Sequence, residues 1–220
     1  MKLLAFDTST AACTVALVKN NTEPCFEHHQ ILPMQQGRLI LPTIEALLAE
    51  AGIKLNELDA IAYGCGPGSF TGIRIASSVA QGLGLGASCP LIPISSLAAL
   101  AQTVYMSKQW PNLLVAVNAH MGEIYWSSYQ ANDGIVQLVS KEAIASPSQV
   151  SQPTSAINWH GVGDGWRIYR DTLIKSVGVE PMAIDSEQLP MAKAILTLAI
   201  NKYNNQEWVK PHDAVPVYLR

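Results

Sequence analysis

Two stretches of this chain begin alike. LLAFDTSTAACTVAL (3–17) and LLVAVNAHMGEIYWSSY (113–129) each pass from an apolar strand through a short polar turn into an alternating strand. A chain of 220 residues that opens both halves in this way is constrained to a duplicated architecture, with one copy of the same sheet in each half.

The element order extends the match. In the first half, strands are expected over 2–9, 13–20 and 23–32, with an N-N-T turn (20–22) between the last two. Residues 34–52 then carry Ile40, Ile44, Leu47, Leu48 and Ala51 at helical spacing and end on Gly52, a good C-cap. Pro42 is expected to kink this helix or delay its start. Leu39 and Leu41 fall off its main stripe, so it is apolar on more than one side. A buried strand (58–65), a helix (70–86), a strand (89–94) and a helix (95–106) capped by Ser95 or Ser96 complete the order βββαβαβα. The second half repeats the meander over 113–140 with a tight N-D-G turn. A strand over 157–166 runs into Gly161, Gly163 and Gly165, and helices follow over 166–176 and 190–203. This is the order of a duplicated ribonuclease-H-like, actin-like α/β fold, with lobes 1–107 and 108–220. SKQWPN (107–112) is the boundary, and SPSQVSQPTSA (146–156) the most loop-like segment.

Totals exclude several classes. Apolar residues are 49% and charged residues 14%, so the chain is globular. A net charge of −3 without a basic stripe argues against nucleic-acid binding by this chain alone. Cys13, Cys25, Cys65 and Cys89 lack a C-x-x-C spacing and read as reduced thiols of the cytoplasm. No signal-peptide pattern or membrane span is expected.

GPGSFTGIRIASSVAQGLGLGA (66–87) resembles a phosphate loop but departs from each known form. It lacks the lysine of a Walker loop, and position 71 is threonine where a G-x-G-x-x-G fingerprint needs glycine. Ser69 or Thr71 caps the helix, whose free N–H groups can take an anion. Within it Gly72, Ala76, Ala80 and Gly84 recur every four residues, beside Ser77 and Gly82. Such a stripe admits another backbone closely: either the sheet beneath or a helix of another subunit. With the two-sided helix 34–52, an association surface is the expectation.

Other chemistry is sparse. Asp7 either holds metal and phosphates, as in actin-like kinases, or closes an Asx turn over Thr8–Thr10. Its counterpart Asn118 cannot be a general base. His28 and His29 point to opposite faces, and His120, His160 and His212 are scattered. Ser69 lacks a nucleophile elbow. Glu123 is an exposed acid on a strand, while Tyr125, Trp126 and Tyr129 pack or line the cleft between lobes. Asp164 reads as a helix N-cap. No metal, cofactor or catalytic residue is assigned. The alternative is a small ATPase or kinase using Asp7 and that cleft; a peptidase finds neither triad nor metal motif.

LLAFDTSTAACTVALV, GPGSFTGIRIASSVAQGL, AVNAHMGEIYW, GVGDG and PVYLR together resemble the TsaB (YeaZ, glycoprotease-like) family along the whole chain. GPGSFTG followed by Ile-Arg is the most specific element. The resemblance implies a non-catalytic paralogue of TsaD, the subunit that transfers threonylcarbamoyl to N6 of adenosine 37 in tRNAs reading ANN codons. It implies pairing with TsaD through the first two helices, TsaE in a ternary complex, a homodimer when alone, tRNA only through the complex, and no membrane. Where TsaD presents metal-binding histidines, this chain has Met34-Gln35-Gln36-Gly37-Arg38. Many members carry a histidine near position 36 and Asp-Ala-Arg at 118–120; here stand Gln36 and Asn118-Ala119-His120. The contacts expected on this basis are Leu39, Thr43, Ile73, Arg74, Ser77, Ala80 and Gln81.

Overall fold

The computed structural model describes residues 1–20, 25–151 and 158–219. The end of the N-N-T turn and the start of the third strand (21–24), the loop residues 152–156, the strand start at Ile157 and the terminal Arg220 lie outside the described residues.

Strands β1 (Leu3–Asp7), β2 (Ala12–Val18) and β3 (Phe26–Ile31) form the first meander. They are followed by α1 (Gln36–Ala51), β4 (Ala60–Gly66), α2 (Phe70–Ala87), β5 (Leu91–Ser95) and α3 (Ser96–Lys108). The first sheet has the order β3-β2-β1-β4-β5. The first three strands pair antiparallel, and β1–β4 and β4–β5 pair parallel. The second half contains β6 (Asn112–His120), β7 (Glu123–Asn132), β8 (Ile135–Ala145), β9 (His160–Val162), α4 (Gly165–Val177), β10 (Ile184–Asp185) and α5 (Ala192–Asn204). Its sheet, read from the meander, is β8-β7-β6-β9-β10, the same order with the same senses. This is the duplicated ribonuclease-H-like topology.

Alternation gives the first sheet two unlike faces. One carries Leu4, Phe6, Val15, Leu17, Ile61 and Tyr63, packed under α1 and α2. The other carries Ala5, Ala16, Ala60 and Ala62, all buried. These small side chains let α5 lie close. Its Ala192 N–H donates to Thr14 Oγ1 at 3.0 Å, and Ile195 and Ala199 are buried.

The compact units have other bounds than the lobes expected at 1–107 and 108–220. One unit is Met1–Ala99 with Pro190–Val217; the other is Leu100–Leu189 with the chain end from Tyr218. The helix expected over 190–203 belongs to the first unit, because its apolar stripe is buried on the small-residue face. α3 passes from one unit to the other. β10 has only two residues, too few to register as a strand pattern. No helix is described between β8 and β9, where the first half has α1.

Local signals hold elsewhere. Gly52 closes α1 at φ 64°. Ser95 Oγ accepts from Leu97 and Ala98 N–H at 3.1 and 3.3 Å. Asp133 and Gly134 take φ 50° and 84°, the double positive φ of a tight hairpin turn. α1 runs unbroken through Pro42, which is exposed, so the Arg38 carbonyl it leaves unbonded faces solvent. In the second unit Gln102 pins the β7–β8 turn, donating to Gly134 O and accepting from Val136 N–H. Trp166 Nε1–H donates to Leu114 O at 2.8 Å, fixing α4 on its sheet.

Candidate functional site

The glycine stretch packs on its own lobe. Ser69 N–H donates to Ser9 O at 2.8 Å, and Thr8 Oγ1–H to Gly72 O at 2.7 Å. A Cβ on Gly68 would lie 2.7 Å from Ser9 O, and one on Gly72 would overlap the Thr8 carbonyl. Ser69 Oγ caps α2, accepting from Gly72 N–H at 3.0 Å. The glycines let the start of α2 touch the β1–β2 turn backbone to backbone.

Asp7 closes that turn. Its Oδ1 accepts from Ser9 N–H at 2.8 Å and its Oδ2 from Ser9 Oγ–H at 2.7 Å. The Asx-turn alternative therefore describes it. Asn118 repeats the device in the second unit, accepting from His120 N–H at 3.1 Å. Asp164 precedes α4 as expected but does not cap it; its Oδ1 accepts from Asn118 N–H at 2.8 Å. Trp126 tilts against Trp166, and Tyr129 donates to Glu142, so both pack within their unit. Glu123 is exposed. Among the described residues, no three His, Cys, Asp or Glu side chains come together to hold a metal.

Burial pushes the Asp7 carboxyl up, against the lowering effect of the Ser9 bonds. Burial, and then Asp7, pushes the neighbouring Cys13 thiol up to about 11. A raised folded pKa means that the native state holds this proton more tightly than the unfolded chain. The Asp7 contribution to stability is full below the unfolded value and is lost as pH rises through the folded one. Asp7→Asn, whose Oδ1 can still accept from Ser9 N–H and whose amide can donate to Ser9 Oγ instead, should melt above the wild type at neutral pH. The difference should shrink towards pH 4 in thermal melts. A variant that melts lower at neutral pH would mean that the carboxylate's bonds to Ser9 outweigh the cost of burying its charge.

The helices α1 and α2 form the other candidate. Burial sorts the expected contact set. Ile73, Ser77 and Ala80 are buried against the chain's own core, and Ser77 Oγ–H donates to Ile73 O. The stripe Gly72-Ala76-Ala80-Gly84 faces the sheet; a Cβ on Gly84 would lie 2.8 Å from Leu91 Cδ2. Gln81 is half-buried, donating to Ala214 O at 2.7 Å. Leu39 and Thr43 are half-buried, Leu39 against the core. Only Arg74 of the seven is exposed, its guanidinium 3.5 Å from the centroid of the Phe70 ring.

A second stripe, two residues further round, faces outward: Phe70, Arg74, Ser78, Gly82 and Leu85, with Phe70 59% and Leu85 65% exposed. Leu41 of α1 is 50% exposed. Nothing lies within 4 Å of a Cβ placed on Gly82, so the fold does not require glycine there. The sequence signal was present: Ser78, Gly82 and Gly86 also recur every four residues. Two small-residue stripes on one helix cannot be told apart without knowing which faces the sheet.

No described helix is long and apolar enough to cross a membrane. Residues 34–220 match the family described as TsaD, tRNA N6-adenosine threonylcarbamoyltransferase. The whole chain is 38% identical to the tRNA threonylcarbamoyladenosine biosynthesis protein TsaB of Escherichia coli (strain K12), covering 95% of it. It is 35% identical over its full length to the TsaB of Haemophilus influenzae, covering 94% of that protein. The solved structure of YeaZ from Pseudomonas aeruginosa superposes with a TM-score of 0.92 at 39% identity, over 99% of each chain.

Proposed function

The chain belongs to the TsaB family of tRNA threonylcarbamoyladenosine biosynthesis proteins, and from that premise we propose that it is a non-catalytic scaffold. It binds and supports TsaD, with the ATPase TsaE, while TsaD transfers threonylcarbamoyl to N6 of adenosine 37 in ANN-decoding tRNAs. It meets tRNA only through that complex, pairs with itself when alone, and works in the cytoplasm.

The observation that carries this reading is the outward stripe of α2. A glycine inside a helix costs up to about 1 kcal/mol against alanine, and Gly82 has no neighbour that needs the space. Exposed Phe70 and Leu85 flank it, as apolar anchors flank a close backbone approach. TsaD therefore seats on Phe70, Arg74, Ser78, Gly82 and Leu85, with Leu41 of α1 beside them. Leu39 and Thr43 support the surface from beneath. Asp7 spends both carboxylate oxygens on Ser9, which argues against a kinase or ATPase centred there.

Reconstituted threonylcarbamoyl transfer to tRNA, with cognate TsaD, TsaE and the adenylate-forming enzyme, tests the role. Modification should depend on this chain, and the chain alone should modify nothing. Equal modification without it would end the scaffold reading.

A further inference from the structure

The segment after α5, Asn205–Val217, contains a single helical turn at Pro211–Asp213, yet it runs along the C-terminal half of α2 and ends at β4. Leu91 and Val209 exchange both backbone hydrogen bonds, at 2.9 and 2.8 Å, which pairs the segment with β5. Pro211 sits against Gly84, where a Cβ would lie 3.2 Å from the Pro211 ring. Gln81 Nε2 then donates to Ala214 O, and Val217 N–H to Cys65 O at 2.8 Å. The segment is thus a strap antiparallel to α2, lying along the flank that bears Gln81 and Gly84.

Its anchors are backbone groups, the buried Ala214, Val209 packed against the core, and the Pro211 ring. Alternation turns Val215 and Val217 outward, 59% and 39% exposed. Both valines leave a large part of their side chains in solvent. Exposed large apolar side chains also occur on α1 and α2, whereas α5, across the sheet, has none among its described residues.

Area points the same way. Helices of 16 and 18 residues, about 1.5 Å per residue and about 10 Å wide, offer roughly 500 Å² of projected face. A stable interface needs about 800 Å² per partner. The strap is the adjoining strip that enlarges the surface.

We propose that the partner surface is composite: the transferase subunit that seats on the outward stripe of α2 also closes over the strap and buries Val215 and Val217. This rests on the scaffold function proposed above. The partner region it fits is apolar, with a close-approaching backbone over Ser78 and Gly82 and an apolar rim over the valines.

Titration calorimetry against cognate TsaD tests it, with Val215→Asp, Val217→Asp and Ser78→Arg compared and melts as the fold check. Each valine variant should bind at least about tenfold more weakly, a loss of about 1.4 kcal/mol, with an unchanged melt. If Val215→Asp failed to fold, Val215→Ser should still weaken binding. Wild-type affinity in the valine variants beside lost binding in Ser78→Arg would overturn the composite surface and leave the scaffold function standing. Wild-type affinity in all three would overturn both. Loss of self-association alone, read by sedimentation, would give the strap to a second copy and overturn the proposal.

Discussion

Gly72→Ala should destabilise the protein by about 3 kcal/mol or more, while Gly82→Ala, ten residues along the same helix, should stabilise it by about 0.5–1 kcal/mol. The first Cβ would overlap the Thr8 carbonyl and lie 2.9 Å from its carbon, a clash with backbone that cannot rotate away. The second enters open space and gains helix propensity. For a chain of this size the shifts are roughly 6–12 °C down and 1–4 °C up, read by thermal melts of the isolated chain. Association reverses the order at position 82: Gly82→Ala should melt higher alone yet bind TsaD more weakly. Two small, equal shifts would mean that the start of α2 does not press on the β1–β2 turn.

Ser78→Arg should leave the melt within about 0.5 kcal/mol of wild type and abolish stimulation of threonylcarbamoyl transfer, with affinity for TsaD at least about 100-fold lower. Ser78 is exposed, so the guanidinium stays in water until a partner arrives. Ala80→Glu is the contrasting variant. Ala80 is 0% exposed, and an unpaired carboxylate there costs about 3–5 kcal/mol, so that variant should lose its fold and its partner together. A stable Ala80→Glu protein, or a Ser78→Arg protein with full transferase support, would place the contact elsewhere on α2.

Much of this was legible from residues alone. The repeated strand-turn-strand openings placed both meanders, and the turn formers Asp7 and Asn118 sit where each turn bends. Helix α2 and its serine cap were legible because Ser69 precedes an apolar-periodic run. The orientation of α2 was not. Its two stripes of small residues are about 160° apart, on nearly opposite sides of the helix, and only the pairing of Gly72 with Thr8 decides which lies down. The strap was hidden for a different reason. Residues 205–217 hold on largely through backbone groups, and a backbone hydrogen bond leaves no trace in side-chain pattern. The return of α5 was hidden too. The alanines at 5, 16, 60 and 62 announce a close neighbour without naming it.

That return governs how the protein can be made. Thr14 and Ala192 bond across 178 residues of chain. At about 5–20 residues per second, the ribosome needs roughly 10–35 s between exposing one and supplying the other. Through that interval the first sheet stands with its alanine face bare and α2 without its strap. The second unit, lying in sequence between the halves of the first, has all but its last residues in hand by then. Biogenesis therefore runs against sequence order: the half that begins first is completed last, and its unfinished sheet is the species that chaperones would meet.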